Sequence, residues 1–253
     1  LAHNSIVQGI VLSGAQRRAF PHNDAQFVDG LLSDLRSQHS RVVIAIEGLY
    51  SMDGDYPDLP KFLEVKHRHK ALLYVDEAHS LGMLGEHGRG VAEAAGVEDD
   101  VDFVVGTFSK SLGATGGYCV SNHPELEAIR FAIRAYIFTA SPSPSVIAST
   151  RVALRLMQER PQLRTRLWEN AHRLYDGLKQ LGFAVSPEVS PVVAVTIRER
   201  DRAITWWNEL MQRGAYVNLV MPPASPTTDS LLRCSVSAAH STDQINYLVQ
   251  AFA

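Results

Sequence analysis

Apolar and polar positions along this chain switch repeatedly between two periods. Short unbroken apolar runs, which suit buried strands, alternate with longer stretches whose apolar residues recur at helical spacing. Residues 1–14 predict a helix, and residues 23–35 a second, with Phe27, Leu31, Leu32 and Leu35 on its apolar stripe. Residues 42–46 form a buried run that ends on Glu47 and Gly48, and residues 59–70 return to helical spacing. A second run, 71–75, delivers Asp76. A third, 101–105, leads into Gly106, Thr107, Phe108, Ser109 and Lys110, and residues 118–120 make one more strand. Gly82, Gly85, Gly88 and Gly90 between them suit tight turns. This βαβ rhythm predicts an α/β fold, a mostly parallel sheet with helices on both faces.

Pro142 and Pro144 interrupt the pattern before a helix over 145–159. The domain change is placed near residue 150, giving a large domain over 1–150 and a smaller α+β domain over 151–253. The smaller one reads as helices at 165–181, 202–213 and 243–249 with strands at 192–197, 216–220 and 231–236. There is no internal repeat, low-complexity tract or heptad seam.

Composition narrows the function classes. The chain has 253 residues, is 45% hydrophobic and 20% charged, and carries a net charge of −3, which fits a globular protein and speaks against nucleic acid as the main partner. No apolar stretch reaches the roughly 20 residues of a membrane-spanning helix. With no export signal either, the expected location is the cytoplasm. Cys119 and Cys234 lie in strand-like runs and read as buried free thiols.

Three motifs fail for want of context. Asp76, Glu77, Ala78 and His79 spell a helicase-type box, but no phosphate-binding loop precedes them. No GxGxxG opens a helix after a strand. His79 and His87 lack the spacing of a zinc protease site. What remains is an acid, an imidazole, hydroxyls and an amine at two strand ends, the edge where α/β sheets collect ligands. Lysine there forms a Schiff base with a carbonyl compound, and a carboxylate keeps a pyridine nitrogen protonated as an electron sink. His79 suits the ring oxygen, while Thr107 and Ser109 suit a phosphate. A turn-capping Asp76 and a surface Lys110 remain open on spacing alone.

Residues 75–80, 85–90 and 106–113, with 138–141 downstream, resemble the α-oxoamine synthase family of fold-type I pyridoxal-phosphate enzymes, and within it the bacterial serine palmitoyltransferases most closely. The resemblance spans essentially the whole chain, while the N-terminal part of the family fold is absent from it. It implies that Lys110 holds pyridoxal 5'-phosphate covalently, that Asp76 faces the ring nitrogen, and that His79 donates to the ring oxygen. His3 is then the imidazole stacked on the ring, and Ser51, Thr107 and Ser109 lie around the cofactor. Thr139 and Ser141 reach the neighbouring subunit's phosphate in a homodimer with shared sites, and Arg233 grips the amino-acid carboxylate. The implied reaction is a decarboxylative condensation of an amino acid, foremost L-serine, with a long-chain acyl-CoA, giving an α-amino ketone such as 3-ketodihydrosphingosine. Met221 and Ser225 depart from the arginine and threonine that bacterial serine palmitoyltransferases tend to carry, which leaves room for another small amino acid or an acyl-carrier-protein thioester. An aminotransferase and a non-catalytic partner subunit of the same fold are the alternatives.

Overall fold

The computed structural model describes residues 1–225 and 227–253. The chain divides into two compact units, Leu1–Leu49 with Tyr56–Arg160, and Tyr50–Asp55 with Pro161–Ala253. The first unit carries helices α1 (Asn4–Ser13), α2 (Ala25–Leu35), α3 (Leu59–His69), α4 (Val91–Ala94), α5 (Leu126–Ala132), α6 (Arg134–Ile137) and α7 (Pro144–Glu159). Its strands are β1 (Val43–Glu47), β2 (Leu72–Asp76), β3 (Phe103–Thr107) and β4 (Gly117–Val120), hydrogen-bonded in that order. Helix α7 runs through residue 150, and the unit ends after it.

β1, β2 and β3 are parallel, with Glu47 opposite Asp76 and Asp76 opposite Val105. β4 runs antiparallel to β3, pairing Gly106 with Tyr118. The short link between these two strands leaves no room for the crossover a parallel pair needs. Side chains alternate along the sheet. Ile44, Ile46, Leu73 and Val75 are buried against α2, α3 and α4, whereas Ala45, Tyr74 and Val105 on the other face are half-buried.

Helix starts carry their own caps: Asp24 accepts the N–H of Phe27 at 2.8 Å, and Asp58 accepts that of Lys61. In α2 the buried stripe is Ala25, Val28 and Leu32, while Phe27 is 45% exposed. Of the expected stripe, Leu32 is buried but Phe27 is not, because Ala25 and Val28 take the inward positions of the first turn. Cys234 is buried as expected, but Cys119 is exposed, because most of β4 is open to solvent.

The amino ends of the strands are tied by Asp102. Its carboxylate accepts the Leu73 N–H at 2.7 Å, Lys66 Nζ at 2.9 Å and His123 Nε2 at 2.8 Å. Burial alone would raise its pKa, and these three partners lower it instead.

The second unit holds α8 (Gln162–Gln180), β5 (Val192–Ile197), α9 (Arg200–Gln212), β6 (Asn218–Val220), β7 (Ser230–Ser235) and α10 (Thr242–Phe252). Its strands form an antiparallel sheet in the order β5-β7-β6. Ser241 and Gln244 make a reciprocal cap at the start of α10. Residues 50–55 belong to this unit; Gly54, at φ 71°, lies so close to the Val192 carbonyl that no side chain fits. Of the segment 221–226, Pro226 lies outside the described residues; Met221 accepts the N–H groups of Ala224 and Ser225 in a turn. Among the described residues, no helix is long and apolar enough to cross a membrane.

Candidate active site

The carboxyl ends of β1, β2 and β3 deliver Glu47, Asp76 and Thr107 to one edge of the first unit's sheet. Asp76 is 9% exposed, and its Oδ1 accepts the N–H of Ala78 at 2.9 Å. Burial raises its pKa, while the Ala78 N–H and the nearby charges of His3 and Lys110 pull it down. His3 and Lys110 thus both lie within electrostatic reach of Asp76, although they are far from it in sequence.

His3 is the N-cap of α1. Its Nδ1 accepts the Ser5 N–H at 3.3 Å and lies 2.8 Å from the Ser5 hydroxyl. Its backbone N–H donates to the buried carboxylate of Glu47, which faces the same side of the sheet as Asp76. The acid that ends β1 therefore fixes the start of α1, a contact that no local pattern in the sequence specifies.

The segment after β3 folds back on itself. Thr107 Oγ1 donates to the Gly116 carbonyl at 2.9 Å, lies 2.9 Å from Ser109 Oγ and accepts the Ser109 N–H at 3.2 Å. Phe108 N–H donates to Gly116 O at 3.0 Å, and the Phe108 carbonyl accepts the Ala114 N–H at 2.8 Å. Ser109 and Lys110 sit exposed at the tip of this closed loop. Gly117 has no room for a side chain, because a Cβ would meet the Gly106 carbonyl at 2.7 Å. Close backbone approach between β3 and β4 is thus required at Gly117, whereas Gly113 has open space around it and Gly116 faces only the Phe108 ring.

His79 lies in the turn that follows Asp76, half-buried. Thr139 and Ser141 are exposed between α6 and α7. Ser51 and Arg233 belong to the second unit, where they meet: Arg233 Nε donates to the Ser51 carbonyl at 2.6 Å, and its Nη1 donates to Ser235 Oγ at 3.0 Å. Burial lowers the pKa of this guanidinium. The Ser51 backbone carbonyl therefore helps hold Arg233. Among the histidines without assigned chemistry, His87 pairs with Glu93 at 2.6 Å and His240 accepts the Ser237 N–H at 3.1 Å.

The donor set fits pyridoxal phosphate. A carboxylate offers about four acceptor positions, and Asp76 uses one of them on Ala78, leaving capacity for a protonated ring nitrogen. Lys110 presents an exposed amine, and the exposed loop at Thr107 and Ser109 presents hydroxyls and N–H groups for a phosphate. One residue missing from the sequence reading is Glu77, which is fully buried beside this site. An acid directly after a buried run was visible in the sequence, but its partners at Val91 and Ala92 were not.

The chain matches the aminotransferase class I and II family over residues 1–252. It is 51% identical to a serine palmitoyltransferase of Caulobacter vibrioides over 99% of its own length and 62% of the relative's. It is 32% identical to an 8-amino-7-oxononanoate synthase of Alkaliphilus metalliredigens, covering all of this chain and 64% of that protein. The chain thus spans about three fifths of the curated relatives it matches. Among solved structures, a serine palmitoyltransferase variant from S. paucimobilis with a bound PLP–myriocin adduct superposes with a TM-score of 0.96 at 43% identity, over 99% of this chain and 63% of that one. An 8-amino-7-oxononanoate synthase from Francisella tularensis gives a TM-score of 0.82 at 25% identity, over 99% and 71%. The chain belongs to the aminotransferase class I and II family and has the fold-type I architecture of the PLP-dependent transferases.

Proposed function

We propose that this chain carries the core of a PLP-dependent α-oxoamine synthase that condenses an amino acid with an acyl thioester and releases CO₂. The observation that carries the reading is buried Asp76 at the carboxyl edge of the sheet, within electrostatic reach of His3 and Lys110. The relatives named as serine palmitoyltransferases support L-serine and a long-chain acyl-CoA as the substrates. In this reading the first unit is the cofactor domain, and Arg233 is the substrate-carboxylate arginine. The working assembly is a homodimer that shares its sites.

Bound pyridoxal phosphate supplies a ring that delocalises the electron pair left on an amino acid's α-carbon. The chain supplies the remainder. Lys110 would hold the cofactor through its amine and is the base available to take the α-proton. Asp76 keeps the proton on the ring nitrogen, and its burial strengthens that pairing by excluding water. His79 would donate to the ring oxygen, and His3 would help hold the ring. Thr107 and Ser109 hold the phosphate, joined by Thr139 and Ser141 of the neighbouring subunit. Arg233 offers a planar pair of N–H donors to the substrate carboxylate, which orients the bond to be broken.

The test is a product assay on the full-length protein loaded with PLP, using a panel of amino acids with both CoA and carrier-protein thioesters. CO₂ release dependent on both substrates, with an α-amino ketone as product, is the expected result. Release of a keto acid without CO₂ would mark an aminotransferase instead. Lys110→Ala is expected to abolish both turnover and the visible absorbance of the lysine-bound cofactor. Retention of that absorbance in the variant would place the covalent link elsewhere.

A further inference from the structure

Asp76 and Glu77 leave the end of β2 in opposite directions, because successive side chains of a strand alternate faces. Asp76 stays on the half-buried face with Glu47 and Val105. Glu77 turns to the packed face, where its side chain is 0% exposed. There its carboxylate accepts the N–H of Val91 at 2.9 Å and of Ala92 at 3.0 Å, both at the start of α4, and the hydroxyl of Ser80.

The backbone is moulded around this group. A Cβ on Gly48, just past β1, or on Gly90, which enters α4 at φ 120°, would run into the Glu77 carboxylate. The main chain of Glu77 adds three bonds: its N–H donates to Val105 O at 2.7 Å, and its carbonyl accepts Ser80 N–H at 3.2 Å and Leu81 N–H at 2.9 Å. Gly48 N–H donates to the Asp76 carbonyl at 2.8 Å. Glu77 therefore links β3, α4 and the turn that carries His79, while its neighbour Asp76 ties in the end of β1.

Burying a carboxylate is expensive, and an apolar side chain of similar volume serves packing better. Burial raises the pKa of Glu77, with the Ser80, Ala92 and Val91 bonds opposing that rise. What an apolar residue cannot supply is a fixed set of acceptors that hold the turn and the entry to α4 in one geometry.

We propose that Glu77 is a positioning residue for the cofactor site: its carboxylate clamps the turn over residues 76–81, so that Asp76 and His79 meet the ring nitrogen and ring oxygen of pyridoxal phosphate at a fixed spacing. The inference rests on the PLP reading above. Glu77 acts through its neighbours and touches neither cofactor nor substrate.

The experiment uses the full-length protein loaded with PLP, in wild-type, Glu77→Gln, Ser80→Ala and Leu73→Ala forms. Glutamine keeps the volume but turns an NH₂ toward a backbone N–H that needs an acceptor. Leu73→Ala removes fully buried apolar volume from the same strand without touching the carboxylate. For each protein, the visible absorbance of the lysine-bound cofactor is titrated against pH, PLP affinity is measured, and the melting temperature is recorded. Glu77→Gln is expected to move the titration midpoint by about one pH unit and to weaken PLP binding roughly tenfold. Ser80→Ala should shift both in the same direction by less, and Leu73→Ala should melt lower yet titrate as wild type. A Glu77→Gln protein that titrates as wild type below its melting temperature overturns the inference, as does an equal shift in Leu73→Ala. Should Glu77→Gln fail to fold, a wild-type titration in Ser80→Ala overturns it instead. A wild-type protein that takes up no PLP overturns the PLP reading and this inference together.

Discussion

Asp76 is held in a state that costs stability. Its carboxyl pKa lies above the ordinary value because burial penalises the charge more than Ala78, His3 and Lys110 relieve it. A raised folded-state pKa means that the folded protein binds this proton more tightly than the unfolded chain does. The associated stability is fully present below the unfolded value of about 3.9 and is lost as pH rises through the folded value. At neutral pH the ionised group therefore opposes folding of the cofactor-free protein. Asp76→Asn is expected to leave the apo protein as stable as wild type at pH 7, or more so, in denaturant titrations. The same substitution should cut turnover of the loaded enzyme by roughly 10²–10³-fold, the usual effect of removing one preorganised electrostatic group. A variant that loses apo stability and activity together would assign Asp76 a structural role. Apolar runs ending on chemistry-bearing residues made Asp76 and Lys110 legible in the sequence. Glu47 and Glu77 were not legible as anchors, because their partners lie 44 and 14 residues away and only the folded sheet brings them together.

Elements were more legible than their packing. The run over 192–197 became β5, and the helical spacings over 59–70 and 145–159 became α3 and α7 within a residue at either end. Direction and facing were harder to read. An apolar run is silent on whether its partner is parallel, so β4 was expected in a largely parallel sheet and is antiparallel. The stripe of α2 was misread at Phe27 because alanine carries little weight in a hydrophobic pattern, yet Ala25 is what packs. Asp102, which ties α3, β2, β3 and His123 together, gave no signal beyond being an acid at a strand start. Its lowered pKa means that it stabilises the fold above the unfolded value of about 3.9, and that this contribution disappears as pH falls through the folded value. Asp102→Ala leaves Lys66, which is 13% exposed, without its carboxylate partner. The expected loss is roughly 3 kcal/mol in chemical denaturation at pH 7, shrinking as the pH is lowered below about 4. An unchanged midpoint at pH 7 would remove Asp102 from the account of the sheet's stability.

For the whole molecule, a shared-site homodimer as proposed would determine where the phosphate contacts come from. Thr139 and Ser141 lie exposed between α6 and α7, directly after Phe138, which is 77% exposed. In the proposed homodimer these residues complete the neighbour's site rather than their own. That arrangement has a consequence that a self-contained site lacks. One full-length subunit carrying Lys110→Ala and another carrying Thr139→Ala with Ser141→Ala are each expected to be inactive as homodimers. When they are mixed and allowed to exchange, half the dimers are hybrids. In each hybrid, one site combines an intact lysine with intact hydroxyls from across the interface, while the other site has neither. Random exchange between equal amounts should thus restore roughly a quarter of the wild-type sites, as two-fold symmetry dictates. Activity and visible cofactor absorbance should rise together to that level and follow the rate of subunit exchange. If each site were built from one subunit, every site in the mixture would lack either the lysine or the hydroxyls, and mixing would restore nothing. The regained fraction therefore reports directly whether residues 139 and 141 act on their own subunit's cofactor or on the partner's.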